Sequence, residues 1–240
     1  MRTFKARGVV LREFEAGESD KRLVLLCKEY GKLTVYARGA RKPKSRFLAA
    51  AQLFAYGDFV LCDGGTFLSL GQAELIESFA GLCGDYGRLC RAHYVMEVCE
   101  KTVLPDTPCD DLLVLLLRTL SRLSKTEEPQ QTLLVFMLRF FLCYGLAPEI
   151  EMCCVCGGGI GDAAAYFCDD GLLCGACRAL KQHKIPITPS ARAALAYIFS
   201  RSMPSAFAFL VNGSVLDELS QAVKLFWACH FQIHIQTEIN

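Results

Sequence analysis

The stretch CCVC at positions 153–156 and the stretch CGAC at 174–177 decide the architecture of their region, because they form two Cys-x-x-Cys knuckles separated by seventeen residues. Two knuckles at this spacing can place four thiolates around one zinc ion in tetrahedral geometry. A site with four protein ligands has no open position for water or substrate, so the sequence predicts one structural Zn²⁺. The predicted ligands are Cys153, Cys156, Cys174 and Cys177.

Two further cysteines leave alternatives open in this assignment. Cys154 could replace Cys153 in a Cys-x-Cys arrangement, and Cys168 could compete from the hairpin between the knuckles, but the Cys-x-x-Cys chelate is the commoner one. We therefore interpret Cys154 and Cys168 as buried apolar thiols. A disulfide or a thioredoxin-like redox motif is less favoured, because a second matched knuckle is present and no strand–helix–strand pattern surrounds the first.

Composition indicates a folded protein that remains in the cytoplasm. The chain has 240 residues, enough for one large or two to three small domains, and its 52% hydrophobic content supplies their cores. The first residues lack the charged and apolar regions of a signal peptide. The most apolar stretch, 133–147, is interrupted by Arg139 and is shorter than the roughly 20 residues that span a bilayer, so no membrane association is expected.

Residues 1–78 have the pattern of a small β-barrel. Short apolar segments alternate with turn signals, and Asp63-Gly64-Gly65 predicts a hairpin. About five or six short strands in this length favour an oligonucleotide-binding (OB) fold, although an SH3-like barrel would give nearly the same pattern. The predicted strands are Phe4–Leu11, Lys21–Cys27, Leu33–Ala37, Asp58–Cys62, Thr66–Leu70 and Gln72–Leu75.

From residue 79 onward the apolar residues recur with the period of a helix, which predicts an α-helical domain at 79–240 with the zinc ribbon inserted at about 150–180. The predicted fold class is therefore α+β with two domains. The predicted start and stop signals are Tyr86 and Pro105 for the first helix, Pro108 for the second, Gln131 and Gly145 for the third, Thr188 with Pro189 for the fourth, and Ser214 with Asp217 for the last.

Positive charge is concentrated near the N-terminus, although the net charge of the chain is only +1. No acidic residue lies between Glu29 and Asp58, and the run Arg38–Arg46 carries five cations between two predicted strands. This pattern favours a surface for a polyanion, with the cations contacting phosphates of single-stranded nucleic acid. The alternative is an ordinary solvated loop.

Aromatic residues that could stack on bases are Phe4, Phe14, Tyr36, Phe47, Phe54, Tyr56 and Phe67, and most are expected in the core. Tyr36 and Phe47 flank the basic run and are the best stacking candidates. No motif for an enzyme is found: the Walker A spacing is absent around Gly31-Lys32, and the pair His230 and His234 lacks the glutamate of a zinc protease. The sequence therefore predicts a protein that is not an enzyme.

Taken together, these motifs resemble the RecO family of bacterial recombination mediators over nearly the whole chain. The chain departs from the family where Leu172 follows Gly171, since members often have two glycines before the second knuckle. The motifs that carry the resemblance are GVVL at 8–11, DKR at 20–22, GK at 31–32, GARKPKS at 39–45, AEL at 73–75, and the ribbon with Phe167 and Gly171 between its knuckles.

The resemblance implies an N-terminal OB domain, a helical C-terminal domain with a zinc ribbon, and no nucleotide hydrolysis. It implies a nucleoid-associated protein that binds single- and double-stranded DNA and anneals complementary strands. The implied protein partners are RecR, the acidic C-terminal tail of single-strand binding protein, and RecA indirectly, which is loaded onto coated DNA. The DNA-binding residues that we predict are Arg38, Arg41, Lys42, Lys44 and Arg46, with Lys5, Arg7, Lys21 and Arg22 as secondary contributors.

Two other classes of function share parts of this pattern. A zinc-ribbon transcription or translation factor would have the barrel and the metal, but would prefer one sequence or structured RNA. A structural adaptor would use the barrel to bind protein and would show no salt-dependent affinity for DNA. Neither class accounts for the basic run and the family motifs together.

Overall fold

Five strands of the N-terminal region close into a barrel in the computed structural model, which describes residues 2–161, 164–203 and 205–237. Their order around the barrel is β1-β2-β3-β5-β4, and β4 pairs back with β1. Neighbouring strands are antiparallel, except that β3 and β5 run parallel. The strands are β1 Arg2–Ala16, β2 Asp20–Cys27, β3 Gly31–Ala37, β4 Tyr56–Asp63 and β5 Leu68–Glu77.

The last strand of the barrel is continuous, whereas the sequence predicted two strands, Thr66–Leu70 and Gln72–Leu75. Val60 of β4 pairs with Gln72 and the adjacent Leu61 pairs with Leu70, which leaves Gly71 without a partner. A Cβ atom on Gly71 would lie 2.9 Å from the sulfur of Cys62. Gly71 therefore forms a bulge within one strand and not a break between two.

The segment between β3 and β4 packs its apolar residues into the barrel core. Phe47, Ala51 and Ala55 belong to the same buried cluster as the inward residues of the strands. The prediction that Phe47 stacks on bases is therefore wrong, because this side chain is only 4% exposed. A backbone hydrogen bond from Ala51 to the Phe47 carbonyl forms a helical turn that directs the ring inward.

Five helices and a second small sheet follow the barrel within the described residues. The predicted cap of α4 is confirmed, since the Thr188 side chain accepts from the Ala191 amide. The predicted Ser214 cap is wrong: Asn212 caps α5 and accepts from the Val215 amide at 2.9 Å. The elements are α1 Tyr86–Thr102, α2 Asp110–Leu123, α3 Pro129–Cys143, β6 Ala165–Cys168, β7 Gly171–Cys174, β8 Ile185–Ile187, α4 Pro189–Ser200 and α5 Gly213–His230.

The chain divides into two compact units. The barrel unit comprises Met1–Glu127 together with Ile235–Asn240, and the helical unit comprises Glu128–His234. The strands end at residue 77, close to the boundary predicted at 78, but α1 and α2 belong to the barrel unit. Among the residues that the structure describes, none of the helices combines the length and apolar character required to cross a bilayer.

The C-terminal segment is fixed within the barrel unit by one carboxylate of α1. Glu97 accepts hydrogen bonds from the backbone amides of Gln236 and Thr237 at 2.7 and 2.8 Å, and from the Thr237 hydroxyl at 2.6 Å. Lys101, one helical turn further on, lies 2.6 Å from the same carboxylate. Burial opposes ionisation of Glu97, but these hydrogen bonds outweigh it and lower the pKa to about 2.

We expect Glu97→Gln to lower the free energy of unfolding at pH 7 by about 2 kcal/mol, because a charged acceptor is removed from several hydrogen bonds. The folded pKa lies below the usual value of 4.5, so this stabilisation is fully present above pH 4.5 and is lost as the pH falls towards 2. Urea unfolding at several pH values measures it. The matched control Glu127→Gln, in an exposed ion pair with Arg88, should change stability by less than about 0.5 kcal/mol.

Candidate metal centre and nucleic-acid interface

The two knuckles are held by the small sheet of the helical unit, whose strand order is β7-β6-β8. In the first knuckle, the Cys153 carbonyl accepts from the Gly157 amide at 2.9 Å, and the Cys153 amide donates to the Gly158 carbonyl. The Cys154 amide donates to the Leu172 carbonyl of β7 at 2.8 Å. In the second knuckle, the Cys177 amide donates to the carbonyl of Cys174. Both turns therefore direct their cysteines towards one region.

The departure from the family pattern at Leu172 does not disturb this arrangement. Gly171 has a φ of +131°, and a Cβ atom there would collide with the carbonyl oxygen of Glu149. The same Glu149 carbonyl accepts from the Leu172 amide at 2.7 Å, while the Leu172 side chain is buried. Only the first of the two positions therefore requires glycine.

The structure brings together the four cysteines that the sequence predicted as ligands. The sulfur atoms of Cys153, Cys156, Cys174 and Cys177 all lie within 4.8 Å of one another, and those of Cys156 and Cys174 are 3.9 Å apart. Thiolates at 2.3 Å from a tetrahedral zinc ion are separated by about 3.8 Å, so the four sulfurs can bind one metal ion with small adjustments.

Geometry, and not the pKa of each thiol, separates the predicted ligands from the two other cysteines of the ribbon, because hydrogen bonds with Cys156 and Cys174 raise the pKa of the predicted ligand Cys177 to about 12. Backbone amides of Cys156 and Cys174 donate to the Cys153 sulfur and lower its pKa to about 6, which favours the thiolate that a metal binds. Burial, reinforced by the neighbouring Cys168, raises the pKa of Cys154 to about 12. The sulfurs of Cys154 and Cys168 lie 3.6 Å from each other, and they are not members of the four-cysteine cluster.

In the barrel unit, the run Arg38–Arg46, hereafter the cationic loop, is anchored at its start to the turn between β1 and β2. The Gly39 amide donates to the Asp20 carboxylate at 2.7 Å, and the Arg41 amide donates to the Ser19 carbonyl at 2.9 Å. Gly39 has a φ of +66°, which suits glycine. The buried Ala40 and Phe47 fix the loop from below, so the cations lie on the surface of the barrel.

Three of the nine predicted DNA-binding cations are already paired with carboxylates. Arg7 forms two hydrogen bonds with Asp58, at 2.6 and 2.7 Å, and Arg41 lies 3.0 Å from Glu15. The Lys21 side chain is only 12% exposed and pairs with Glu13. The acid that pairs with Arg41 comes from β1, so the absence of acids between Glu29 and Asp58 in the sequence does not keep carboxylates away from this cation in the folded barrel.

The remaining predicted cations are available at the surface. Among residues 2–161, 164–203 and 205–237, no carboxylate pairs with them. Arg46 shares a shallow groove with Lys5 and with the acidic residues Asp58 and Glu74, and its guanidinium also lies 4.8 Å from the ring centre of Phe47. Arg22 lies over a ring of β1 at 4.3 Å. This group consists of Lys5, Arg22, Arg38, Lys42, Lys44 and Arg46.

Two aromatic residues that the sequence analysis expected in the core lie at the barrel surface. Phe67 is 44% exposed with its ring centre 5.3 Å from that of the exposed Tyr36, and Phe14 is half-buried. A signal for Phe14 is present in the sequence, because it occupies the same register position as Arg22 in the β1–β2 hairpin. Phe67 follows the hairpin turn and carries no such signal.

Comparisons with known proteins agree with this architecture. The protein-family model described as "Recombination protein O N terminal" matches residues 1–79, and the one described as "Recombination protein O C terminal" matches residues 83–237. The DNA repair protein RecO of Acetivibrio thermocellus is 35% identical over 228 residues, which cover 94% of this chain and 91% of that protein. The DNA repair protein RecO of Bacillus subtilis is 28% identical over 234 residues, covering 98% and 92%.

Proposed function

Because the chain belongs to the recombination protein O family, whose members act in DNA repair and recombination, we propose that it is a recombination mediator. In this role it binds single- and double-stranded DNA and anneals complementary strands. The observation that carries the proposal is the set of unpaired surface cations on a closed five-stranded barrel. We assign the barrel to the OB type, because the order β1-β2-β3-β5-β4 is a five-stranded Greek-key closure of the kind that binds oligonucleotides.

Annealing by such a surface requires charge but no reacting side chain. Two complementary strands repel each other through their phosphates, and cations such as Lys42, Lys44 and Arg46 reduce this repulsion while releasing condensed counterions. The strands can then approach and pair. We propose that the protein is not an enzyme and acts in this way at the nucleoid, without hydrolysing a nucleotide.

The metal in this proposal is one structural zinc ion. Cys153, Cys156, Cys174 and Cys177 would hold it, and a four-thiolate site supplies fold stability and no catalytic position. The small sheet around the site has strands of only three or four residues, which need further support to remain folded. The ribbon assignment therefore rests on the sulfur geometry and the short sheet together.

The proposed protein partners are RecR, single-strand binding protein and, indirectly, RecA. An acidic tail with apolar residues requires an apolar groove with a cation at its rim. A groove with apolar residues and one cation lies in the helical unit, although an acidic residue also lines it; its lining residues are Ile150, Glu151, Ala193, Ala196, Tyr197, Phe199, Ser200 and Arg201. The Arg201 guanidinium lies 5.2 Å from the ring centre of Tyr197, at a position where it can meet a carboxylate.

The test of the proposed function is the rate at which complementary DNA strands anneal when they are coated with single-strand binding protein, without ATP and at two salt concentrations. We expect the protein to accelerate annealing, more strongly at low salt, because the phosphate contacts are screened by salt. Removal of the acidic tail of the binding protein should abolish the acceleration. Absence of acceleration at both salt concentrations would contradict the mediator role.

A further inference from the structure

Four side chains form a continuous row across the outer surface of the barrel. Phe14 of β1 is paired in register with Arg22 of β2, which in turn is paired with Tyr36 of β3. Tyr36 faces Ser69 of β5, and its ring centre lies 5.3 Å from that of Phe67 in an edge-to-face arrangement. The Arg22 guanidinium lies 4.3 Å from the ring centre of Phe14. We name Phe14, Arg22, Tyr36 and Phe67 the aromatic row.

Packing in the barrel core does not account for this row. Val35 and Ala37 on either side of Tyr36 are fully buried, so alternation along β3 directs Tyr36 outward. Tyr36 and Phe67 remain 36% and 44% exposed. Single exposed aromatic residues are common on protein surfaces, but contiguous ones with a polar border indicate a binding surface.

The aromatic row is joined directly to the cationic loop. Tyr36 is two residues before Arg38, where the loop begins, and Arg22 belongs to both the row and the set of cations without a carboxylate partner. A nucleotide combines an apolar, planar base with a negatively charged phosphate. Aromatic rings next to cations without a carboxylate partner match both parts. This charge complementarity identifies a nucleic acid as the occupant.

We propose that the aromatic row stacks on the unpaired bases of a single DNA strand whose phosphates follow the cationic loop. This inference rests on the proposed function and adds a basis for preferring single strands. In a duplex the bases are stacked on each other and their faces are not accessible to Tyr36 or Phe67, whereas every base of a single strand presents a face. Four strands at about 4.8 Å spacing span about 14 Å, enough for several nucleotides.

The test compares three fluorescent probes of equal phosphate number: a single-stranded oligothymidine 20-mer, the same 20-mer with abasic sites throughout, and a duplex. We expect Tyr36→Ala and Phe67→Ala in the full chain to weaken oligothymidine binding about tenfold each, which corresponds to loss of one stacking contact. Affinity for the abasic strand and the duplex should change by less than twofold. The slope of log affinity against log salt should also be unchanged, because it reports the number of phosphates that the protein contacts.

Two further variants test whether the ring of Phe67 itself is required and whether removal of any exposed aromatic residue has the same effect. Phe67→Leu keeps an apolar side chain against Tyr36 and should weaken oligothymidine binding as Phe67→Ala does, if the ring itself is used. Tyr86→Ala removes the same kind of side chain from an 83% exposed position at the start of α1 and should leave all three affinities unchanged. Thermal unfolding of each variant verifies that the barrel remains folded.

The results distinguish this inference from the function on which it rests. If the wild-type chain binds oligothymidine and the abasic strand equally, or if the variants weaken all three probes alike, the stacking role is wrong while DNA binding stands. If the wild-type chain binds none of the probes in a salt-dependent manner, the proposed function itself fails.

Discussion

Replacing Cys174 with serine is expected to release about one metal ion per chain and to unfold the ribbon while the barrel unit remains folded. The candidate site consists of four cysteines, and a serine hydroxyl is a poor substitute for a thiolate on the proposed zinc ion. Binding of a structural zinc ion contributes on the order of 10 kcal/mol to the folding of small zinc domains. The strands around the site, Ala165–Cys168, Gly171–Cys174 and Ile185–Ile187, are too short to compensate for such a loss.

Elemental analysis of the purified protein measures the metal, and limited proteolysis with mass spectrometry locates the region that opens. Cleavage is expected within residues 149–187, with the barrel strands protected. The matched control is Cys154→Ala, which lies next to a ligand but outside the four-cysteine cluster and should retain the metal. Retention of stoichiometric metal by Cys174→Ser, or its loss from Cys154→Ala, would show that the ligands are misassigned.

The second large effect concerns the cationic loop. We expect simultaneous replacement of Lys42, Lys44 and Arg46 with alanine to reduce the slope of log affinity against log salt by about two units on single-stranded DNA, since each phosphate contact contributes about 0.7. These three are exposed and have no carboxylate partner within the described ranges. Binding titrations of an oligonucleotide between low and moderate salt measure the slope.

Two variants with comparable chemistry test whether position, and not only charge, determines this result. The triple replacement of Arg118, Arg122 and Lys125 removes the same charge from the exposed surface of α2 and its end, and should leave the slope within about half a unit of the wild type. Arg41→Ala alone should reduce the slope of log affinity against log salt by much less than the value of about 0.7 for one phosphate contact, because Glu15 already pairs with this cation. An unchanged slope in the loop variant would remove the loop from the DNA site.

Local signals in the sequence were sufficient to place most elements. Glycine at 145 and the Thr188-Pro189 pair determine helix ends through contacts within a few residues, and both operate as predicted. The errors arise where two local signals compete. Asn212 and Ser214 can each cap a helix, and the structure uses Asn212, with Ser214 donating to its side chain. The sequence predicts separate strands on either side of Gly71, but the bulge at this residue depends on a partner strand that the local pattern does not reveal.

The candidate metal centre was more predictable than the candidate DNA surface for a physical reason. Each Cys-x-x-Cys motif fixes the positions of its two sulfurs within four residues, so two such motifs at this spacing already indicate one shared site. The availability of a cation depends instead on acids from neighbouring strands, such as Glu13 beside Lys21, and these contacts depend on strand register. Phe47 and Tyr36 both flank the cationic loop, but Tyr36 lies in a strand whose alternation directs it outward, whereas Phe47 lies in a helical turn that the sequence analysis did not predict and that directs its ring into the core.

The return of the chain to the barrel unit has a consequence for the order of events during synthesis. Glu97 and its partner Gln236 are separated by 139 residues, which a ribosome adds in about 7 to 28 s. The unit whose strands emerge first is thus the one completed last, after the whole helical unit has left the exit tunnel. Throughout that interval the Glu97 carboxylate lacks its hydrogen bonds from Gln236 and Thr237, and its ion pair with Lys101 is the contact that α1 itself supplies.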